Sequence, residues 1–473
     1  MSVRRALVVG AGIAGSTLAF LLARGGVEVT VVERAGGQRS AGSPVDVRGP
    51  ALPVVARMNV LPSVRAAATR TTRLAAVDAA GREIGSIPTQ VGRRAIEIPR
   101  DDLCAILASA AGQVAEIRYD ETVVDLRQAG DGIEVMFERS TPSRYDLVIG
   151  ADGVHSVVRR LAFGPESSVL THLGLFIATF MLDHTSNDRR TVLIHSAPGR
   201  SVVIHPTTGR EGAAFIFRHT PLPVSTFRDR SIQDELLTAA YPDRHWRVPE
   251  LLDRALNGSD RYFDAVSRVR MDRWSHGRIV LAGDAATCVS LFGEGSSMAI
   301  AGAATLAECL FASADTAAAL RRYERLHRRR VRPHQLGGYI AAVVVNAVLL
   351  VLVNVTPGWS ILPFLTPDMA LVLPWINASM VAGIVINAVY LIRDTPRVKG
   401  FGDLITEVIG LVAMIGLWQV FPFDFGAGSS GWATVVRVAL VIGIVGTIIA
   451  MIVSVVMVIR GTARPASVVT PAR

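Results

Sequence analysis

The sequence predicts an α/β head with an antiparallel β-sheet inserted into it, followed by an all-α tail. Three observations carry this. A glycine-spaced turn, Gly10-Ala11-Gly12-Ile13-Ala14-Gly15, lies between two short apolar, β-branched runs. From Leu170 to His219 strand-like runs alternate with turns. From Leu336 to Ile459 only nine charged residues occur in 124.

The turn comes first. Ala6 to Val9 reads as a strand, Ser16 to Arg24 as a helix ended by Gly25-Gly26, and Val27 to Val32 as a second strand that stops at Glu33 and Arg34. Each glycine has its own reason. Gly10 permits the tight turn out of the strand, Gly12 lets the backbone approach a pyrophosphate, and Gly15 lets the helix lie close on the strand. Ala14 stands between them, and the free N–H groups of the helix start face the phosphates. Glu33 follows Gly15 by 18 residues, near the spacing at which a carboxylate meets the adenosine ribose. This is a Rossmann-like dinucleotide fingerprint. Its glycines and the charged residues that follow exclude a signal peptide for the Arg4-Arg5 start.

The inserted sheet is next. Thr72 to Ile87 and Arg93 to Ile98 read as strands, and Val47 to Arg57 as the approach to a helix. Arg100 opens a further helix running to about Ala111, with Asp101 and Asp102 near its positive end. Ile117 to Leu126, Ile133 to Glu138 and Tyr145 to Ile149 are strand-like. Leu175 to Leu182, Arg190 to His195, Ser201 to His205 and Ala213 to Arg218 form an antiparallel set. A buried strand, Arg278 to Leu281, leads to Gly283-Asp284 and a helix from about Ser296 to Ala312. A basic helix, Ala317 to Arg332, closes the head. The nucleotide-binding parts are therefore 1–72, 96–165 and 276–332, and the inserted sheet takes 73–95 and 166–275.

The tail, 336–460, reads as four spans: Leu336 to Val355, Leu371 to Ile392, Leu404 to Phe421 and Ala433 to Ile459. A helix of about 20 apolar residues crosses a bilayer. Arginine and the single lysine, Lys399, fall before the first span, between the second and third, and after the fourth. The two remaining connections hold only Asp368 and Asp424. This alternation puts the head and the 461–473 C-terminus in the cytoplasm of a multi-pass cell-membrane protein. Glu407, about a turn from the cytoplasmic end, is expected to snorkel outward. The net charge of +9 accompanies no nucleic-acid motif and fits anionic lipid. Scarce lysine with abundant alanine points to a GC-rich bacterial genome. Cys104, Cys288 and Cys309 have no disulfide or zinc spacing, and no metal site is expected.

Two further segments carry a resemblance. Tyr145-Asp146-Leu147-Val148-Ile149-Gly150-Ala151-Asp152-Gly153-Val154-His155-Ser156-Val157-Val158-Arg159-Arg160 resembles the Asp-Gly motif of the single-component, para-hydroxybenzoate hydroxylase-like FAD-dependent monooxygenases. Arg278 to Ala286 resembles that family's second FAD motif. The resemblance covers residues 4 to 332 and implies FAD as cofactor, NAD(P)H as co-substrate and a Rossmann-like domain roofed by the inserted sheet. It implies that Asp284 meets the ribityl chain and that Asp152 and Gly153 serve the FAD pyrophosphate and NAD(P)H. It also implies that Arg100 reaches FAD and that Asp46-Val47-Arg48-Gly49, with Arg48, passes beside the isoalloxazine. Gly293, Gly295 and Ser296, opening a helix, would set N–H groups near flavin N1 and O2. Thr287 to Phe292 departs from the family's usual His or Tyr and proline, which alters the substrate side of the ring. None of His172, His184, His195, His205 and His219 stands out as a catalytic base.

The expectation is a membrane-anchored FAD-dependent monooxygenase acting on a lipophilic small molecule. Two alternatives stay open: an FAD-dependent reductase or dehydrogenase of an isoprenoid or quinone-like lipid, and a non-catalytic flavin redox sensor in the membrane. The absence of a WxWxIP run argues against a flavin halogenase.

Overall fold

The computed structural model describes residues 3–37, 43–89, 95–182, 188–207, 209–242, 245–288, 294–355, 358–362, 364–392, 396–425 and 430–460. The chain forms two compact units, Met1–Val331 and Arg332–Arg473. The first begins with β1 (Arg5–Val9), α1 (Ile13–Arg24), β2 (Glu28–Glu33), β3 (Val45–Arg48), α2 (Ala51–Arg57), α3 (Leu61–Ala66), β4 (Arg73–Val77), β5 (Glu83–Pro88) and β6 (Ala95–Ile98). Next come α4 (Arg100–Gly112), β7 (Glu116–Tyr119), β8 (Val123–Ala129), β9 (Gly132–Phe137), β10 (Ser143–Tyr145), β11 (Leu147–Gly150) and α5 (Val157–Phe163). Then follow β12 (Leu170–Leu182), β13 (Thr191–Ala197), β14 (Arg200–Pro206), β15 (Glu211–Arg218), α6 (Val224–Phe227), α7 (Arg230–Ala240) and α8 (Val248–Asn257). β16 (Tyr262–Val269), β17 (Ser275–His276), β18 (Ile279–Leu281) and α9 (Glu294–Phe311) complete it. The boundary between the units falls within α10 (Thr316–Asn354), after which come α11 (Met369–Ile392), α12 (Pro396–Val420) and α13 (Ser430–Arg460).

A six-stranded sheet, ordered β17-β18-β11-β1-β2-β7, forms the nucleotide-binding layer. Helix α1 packs against α4 and α9. Strands covered on both faces need apolar residues at every position, and Ala6, Leu7, Val8, Leu147, Val148 and Ile149 are all fully buried. β1 runs parallel to β2 and β11, and β11 parallel to β18. The register pairs Val9 with Val32 and with Gly150, and Gly150 with Leu281. The carboxyl ends of four strands are thus level, and the loops that follow them share one edge, where ligands of open α/β sheets bind.

The second layer is a seven-stranded sheet, ordered β16-β12-β15-β14-β13-β4-β5. Phe176, Ala178, Phe180, Phe215 and Phe217 form its core with Phe227, Leu237, Tyr241 and Leu251 of α6, α7 and α8. Strand alternation therefore turns Ile177, Thr179, Met181, Ala214 and Ile216 to the opposite face. Tyr262 pairs with Thr179 and Asp264 with Ile177, so these two share that face.

The structure differs locally from the expectation in three places. Val47 to Arg57 is not one approach to a helix: β3 ends at Arg48, and Gly49 at φ +53° and Pro50 separate it from α2. Ile117 to Leu126 divides into β7 and β8 of different sheets, because Asp120 adopts φ +55°. The basic helix does not stop at Arg332, since α10 continues unbroken to Asn354.

In the second unit, α12 packs against both α11 and α13. Among the described residues three helices, Met369–Ile392, Val398–Val420 and Gly431–Ile452, are long and apolar enough to cross a membrane, with mean hydropathy of 2.0, 1.7 and 2.6. Of the expected first span, the described residues contribute the shorter apolar stretch Tyr339–Asn354, which lies within α10. Asn354 and Asn377 exchange two side-chain hydrogen bonds of 2.8 Å. Arg437 lies over the Phe421 ring at 3.9 Å. Glu407 does not snorkel: Ser454 Oγ donates to its Oε1 at 3.0 Å. Residues 461–473 lie outside the described residues.

Candidate active site

Three loops meet at the level edge of the parallel sheet. Gly10 has φ +104°, and a Cβ there would stand 2.6 Å from the Ala151 carbonyl oxygen. A Cβ on Gly15 would stand 1.9 Å from the Gly10 carbonyl oxygen, which enforces the close helix–strand approach. Gly12 has open space around it, leaving room for phosphate. Gly283 has φ +59°, and a Cβ there would lie 2.8 Å from that of Ala14. Ala14 is thus the point where the third loop rests on the first, a contact that spacing alone did not reveal.

Glu33 braces the turn from the neighbouring strand. Its Oε2 accepts from Ala11 N–H and its Oε1 from Ala35 N–H, both at 2.9 Å. Each oxygen keeps a lone pair for a ribose hydroxyl. Arg34 is exposed beside it.

Asp152 caps α5. Its Oδ2 accepts from Val157 N–H at 2.6 Å and Val158 N–H at 3.2 Å, and Oδ1 accepts from the Ser156 hydroxyl. Burial raises its pKa against these bonds. Gly153, at φ +80°, makes the turn that permits the cap. Buried Arg159 then ties this loop to the third, donating to the Ala285 carbonyl at 3.1 Å.

Arg100, Asp284 and Tyr262 share one electrostatic environment. Burial raises the Asp284 carboxyl and Arg100 opposes it. Burial pulls Arg100 down, but Asp284, Cys104, Tyr262 and Cys288 carry it upward overall. Tyr262 is 48% exposed, yet burial raises its hydroxyl well above the usual range. Arg100, Asp284 and Tyr262 therefore act on one another electrostatically where the sheet meets the loop edge.

The start of α9 closes the same edge. Ser296 and Ser297 both donate to the Asp46 carbonyl, at 2.8 and 2.7 Å, and Ser297 Oγ accepts from Arg48 N–H at 3.0 Å. The Arg48 guanidinium lies 3.8 Å from Asp46. A Cβ on Gly295 would stand 4.0 Å from Asp284 Oδ1. Gly293 and residues 289–292 of the altered segment lie outside the described residues.

Two histidine–carboxylate pairs join the layers, and sequence reasoning assigned neither. On β6, Glu97 Oε1 lies 3.1 Å from His205 Nε2, and the hydroxyls of Thr69 and Thr71 donate to Oε2. Burial works against this charge, but His205 and the threonines outweigh it and lower the pKa to about 2. In the Asp-Gly loop, His155 bonds Glu166 through Nδ1 and Asp264 through Nε2, the latter at 3.0 Å. Burial opposes the imidazolium, yet the two carboxylates hold its pKa at about 9. His155 was part of a recognised motif, but nothing local marked its partner 109 residues away.

The arrangement fits FAD. Gly12 leaves open space at a helix start, Glu33 has acceptors to spare, and Arg100 and Asp284 lie within electrostatic reach of each other. Comparison with known proteins agrees. Residues 4–335 match the family model for an FAD binding domain. The chain is 38% identical over 318 residues to the uncharacterized protein Rv1260 of Mycobacterium tuberculosis, covering 65% of this chain and 85% of that one. It is 33% identical over 340 residues to a flavin-dependent monooxygenase of Legionella longbeachae, covering 70% and 87%. The crystal structure of the tetracycline destructase Tet(51) superposes with a TM-score of 0.65 at 30% identity, covering 73% of this chain and 91% of that one. From its glycine loops to its roofing sheet, this chain belongs to the FAD-dependent monooxygenases.

Proposed function

We propose that the protein is a membrane-anchored monooxygenase that uses NAD(P)H and O2 to oxygenate a lipophilic small molecule, with its head and C-terminus in the cytoplasm. One observation carries the site assignment: the loops after β1, β11 and β18 converge beneath a sheet face that is mostly apolar. When bound, FAD would supply the redox chemistry that links NAD(P)H to O2. The chain's own residues bind, orient and exclude water. Gly10, Gly12 and Gly15 would admit the pyrophosphate to the α1 N-terminus, and Glu33 would take the ribose. Arg100 and Asp284 would hold the ribityl side, and the start of α9 would set N–H groups toward negative charge on the cofactor. Ile177, Met181, Ala214 and Ile216 make the sheet face water-poor and suited to an apolar substrate.

The tail supports the lipophilic assignment by composition. Exposed apolar side chains on α11 and α13, such as Leu371, Val385, Ile442 and Ile452, suit lipid, and the basic connections suit a cytoplasmic surface. The test is NADPH oxidation by detergent-purified protein supplied with membrane lipid extract, in air and without it. A product heavier by one oxygen atom, formed only in air, supports the reading. A product gaining two hydrogens without oxygen would replace it with a reductase.

A further inference from the structure

A chain of four side chains leads from the Asp-Gly loop to the sheet face that bears Tyr262. Glu166, opening the short 3-10 turn Glu166–Ser168, bonds His155 Nδ1. His155 Nε2 meets Asp264 Oδ1 on β16 at 3.0 Å. Asp264 Oδ2 accepts the Tyr262 hydroxyl at 2.9 Å. The His155, Glu166 and Asp264 side chains are only 15, 20 and 14% exposed. Both imidazole nitrogens face carboxylates, so the ring satisfies them fully as an imidazolium. Tyr262 spends its one hydrogen on Asp264, and its oxygen keeps only lone pairs for any other partner. Tyr262 also lies in the environment of Arg100 and Asp284.

We propose that Tyr262 is a cofactor-contacting residue, and that Asp264 and His155 are positioning residues that latch the roofing sheet to the Asp-Gly loop and so fix the phenol beside bound FAD. The latch is intact while His155 is charged. The charged and titratable groups around it are Glu166, Asp264 and Tyr262, with Asp152 on its own loop. Arg159 of α5 lies 3.7 Å from Glu166, Arg228 at the end of α6 acts on Glu166, and His172 of β12 senses Asp264. Loss of the His155 proton leaves two carboxylates facing a neutral ring, and the phenol loses its fixed orientation. The inference rests on FAD binding and not on oxygenation. A protein that holds FAD but oxygenates nothing removes the functional proposal and leaves this one standing.

The test measures FAD affinity and the fluorescence lifetime of bound FAD in the full-length protein in detergent. Tyr262→Phe should retain FAD with a Kd raised about threefold to tenfold, the worth of one hydrogen bond, and with a changed lifetime. In the wild type the lifetime should step as pH rises through about 9. Referencing each profile to Tyr262→Phe removes the flavin's own ionisation. His155→Gln should show the high-pH lifetime at neutral pH. His155→Arg, which keeps a cation between the carboxylates, should restore the low-pH lifetime and abolish the step. If His155→Gln does not fold, Asp264→Asn tests the same link. Unchanged affinity and lifetime in Tyr262→Phe, or a pH step that survives in His155→Arg or Asp264→Asn, would overturn the proposal.

Discussion

The loop edge and the roofing sheet are joined through His155 and Asp264 but are specified differently. At the edge, backbone geometry decides: Gly10, Gly15 and Gly283 stand where a Cβ would strike backbone or a buried methyl at 2.8 Å or less. On the sheet, side chains decide: an apolar face lies between two histidine–carboxylate pairs, Glu97–His205 and His155–Asp264. Steric exclusion admits one residue type, so the edge cannot vary. A flat apolar face accepts many side chains, so the sheet can be retuned for a new substrate while the edge keeps FAD.

The largest effects should come from the edge. Gly15→Val drives a side chain into the Gly10 carbonyl and should cost about 3 kcal/mol or more, as overpacking at a backbone contact does. Denaturant unfolding would measure it, and a loss under about 1 kcal/mol would break the steric account. Gly12→Ala separates the two roles of the loop. With nothing within 4 Å of its Cβ, it should leave unfolding of the FAD-free protein within about 0.5 kcal/mol of wild type while weakening FAD binding at least about tenfold. Equal loss of both would show that the opening is not for phosphate.

The two pairs should bound stability from opposite sides of the pH scale. His155 has a folded pKa of about 9 against 6.5 unfolded. Its contribution is full below about pH 6.5 and is lost as pH rises through 9, and the shift corresponds to about 3 kcal/mol at most. Glu97, at about 2 against 4.5, contributes above pH 4.5 and loses its share as pH falls through 2, by a similar amount. Urea unfolding of His155→Gln and Glu97→Gln from acid to alkaline pH would show each deficit closing at its own end. Parallel profiles for both would contradict the assignment. The smallest effect should be at Thr179, whose hydroxyl is buried and without a partner among the described residues. Thr179→Val should be neutral or stabilising by up to about 1 kcal/mol, and clear destabilisation would mean the hydroxyl has a partner such as ordered water.

The same contrast explains what the sequence could and could not reveal. Gly10, Gly12, Gly15 and Glu33 were legible because their spacing follows from steric and phosphate geometry within one βαβ unit, whereas Asp152 and Asp284 stood out only through the resemblance of their motifs to a known family. The split of Ile117–Leu126 into two sheets was hidden, because it depends on a left-handed Asp120 rather than on a glycine or proline. The His155–Asp264 and Glu97–His205 pairs were hidden because each spans more than 100 residues and forms only when the sheet folds over the edge. The tail's apolar runs were plain, but its first span merged with a basic helix that hydropathy alone had separated from it.

In the proposed reaction this edge and this sheet together oxygenate an apolar molecule. The most direct measurement supplies isotopically labelled O2 to the FAD-loaded, detergent-purified protein with NADPH and membrane lipid extract, and follows the label by mass spectrometry. The account predicts one labelled oxygen in a lipid-soluble product, formed by wild type and lost in Gly12→Ala to the degree that FAD is lost. NADPH consumption with all label recovered as peroxide or water across the extract would contradict it.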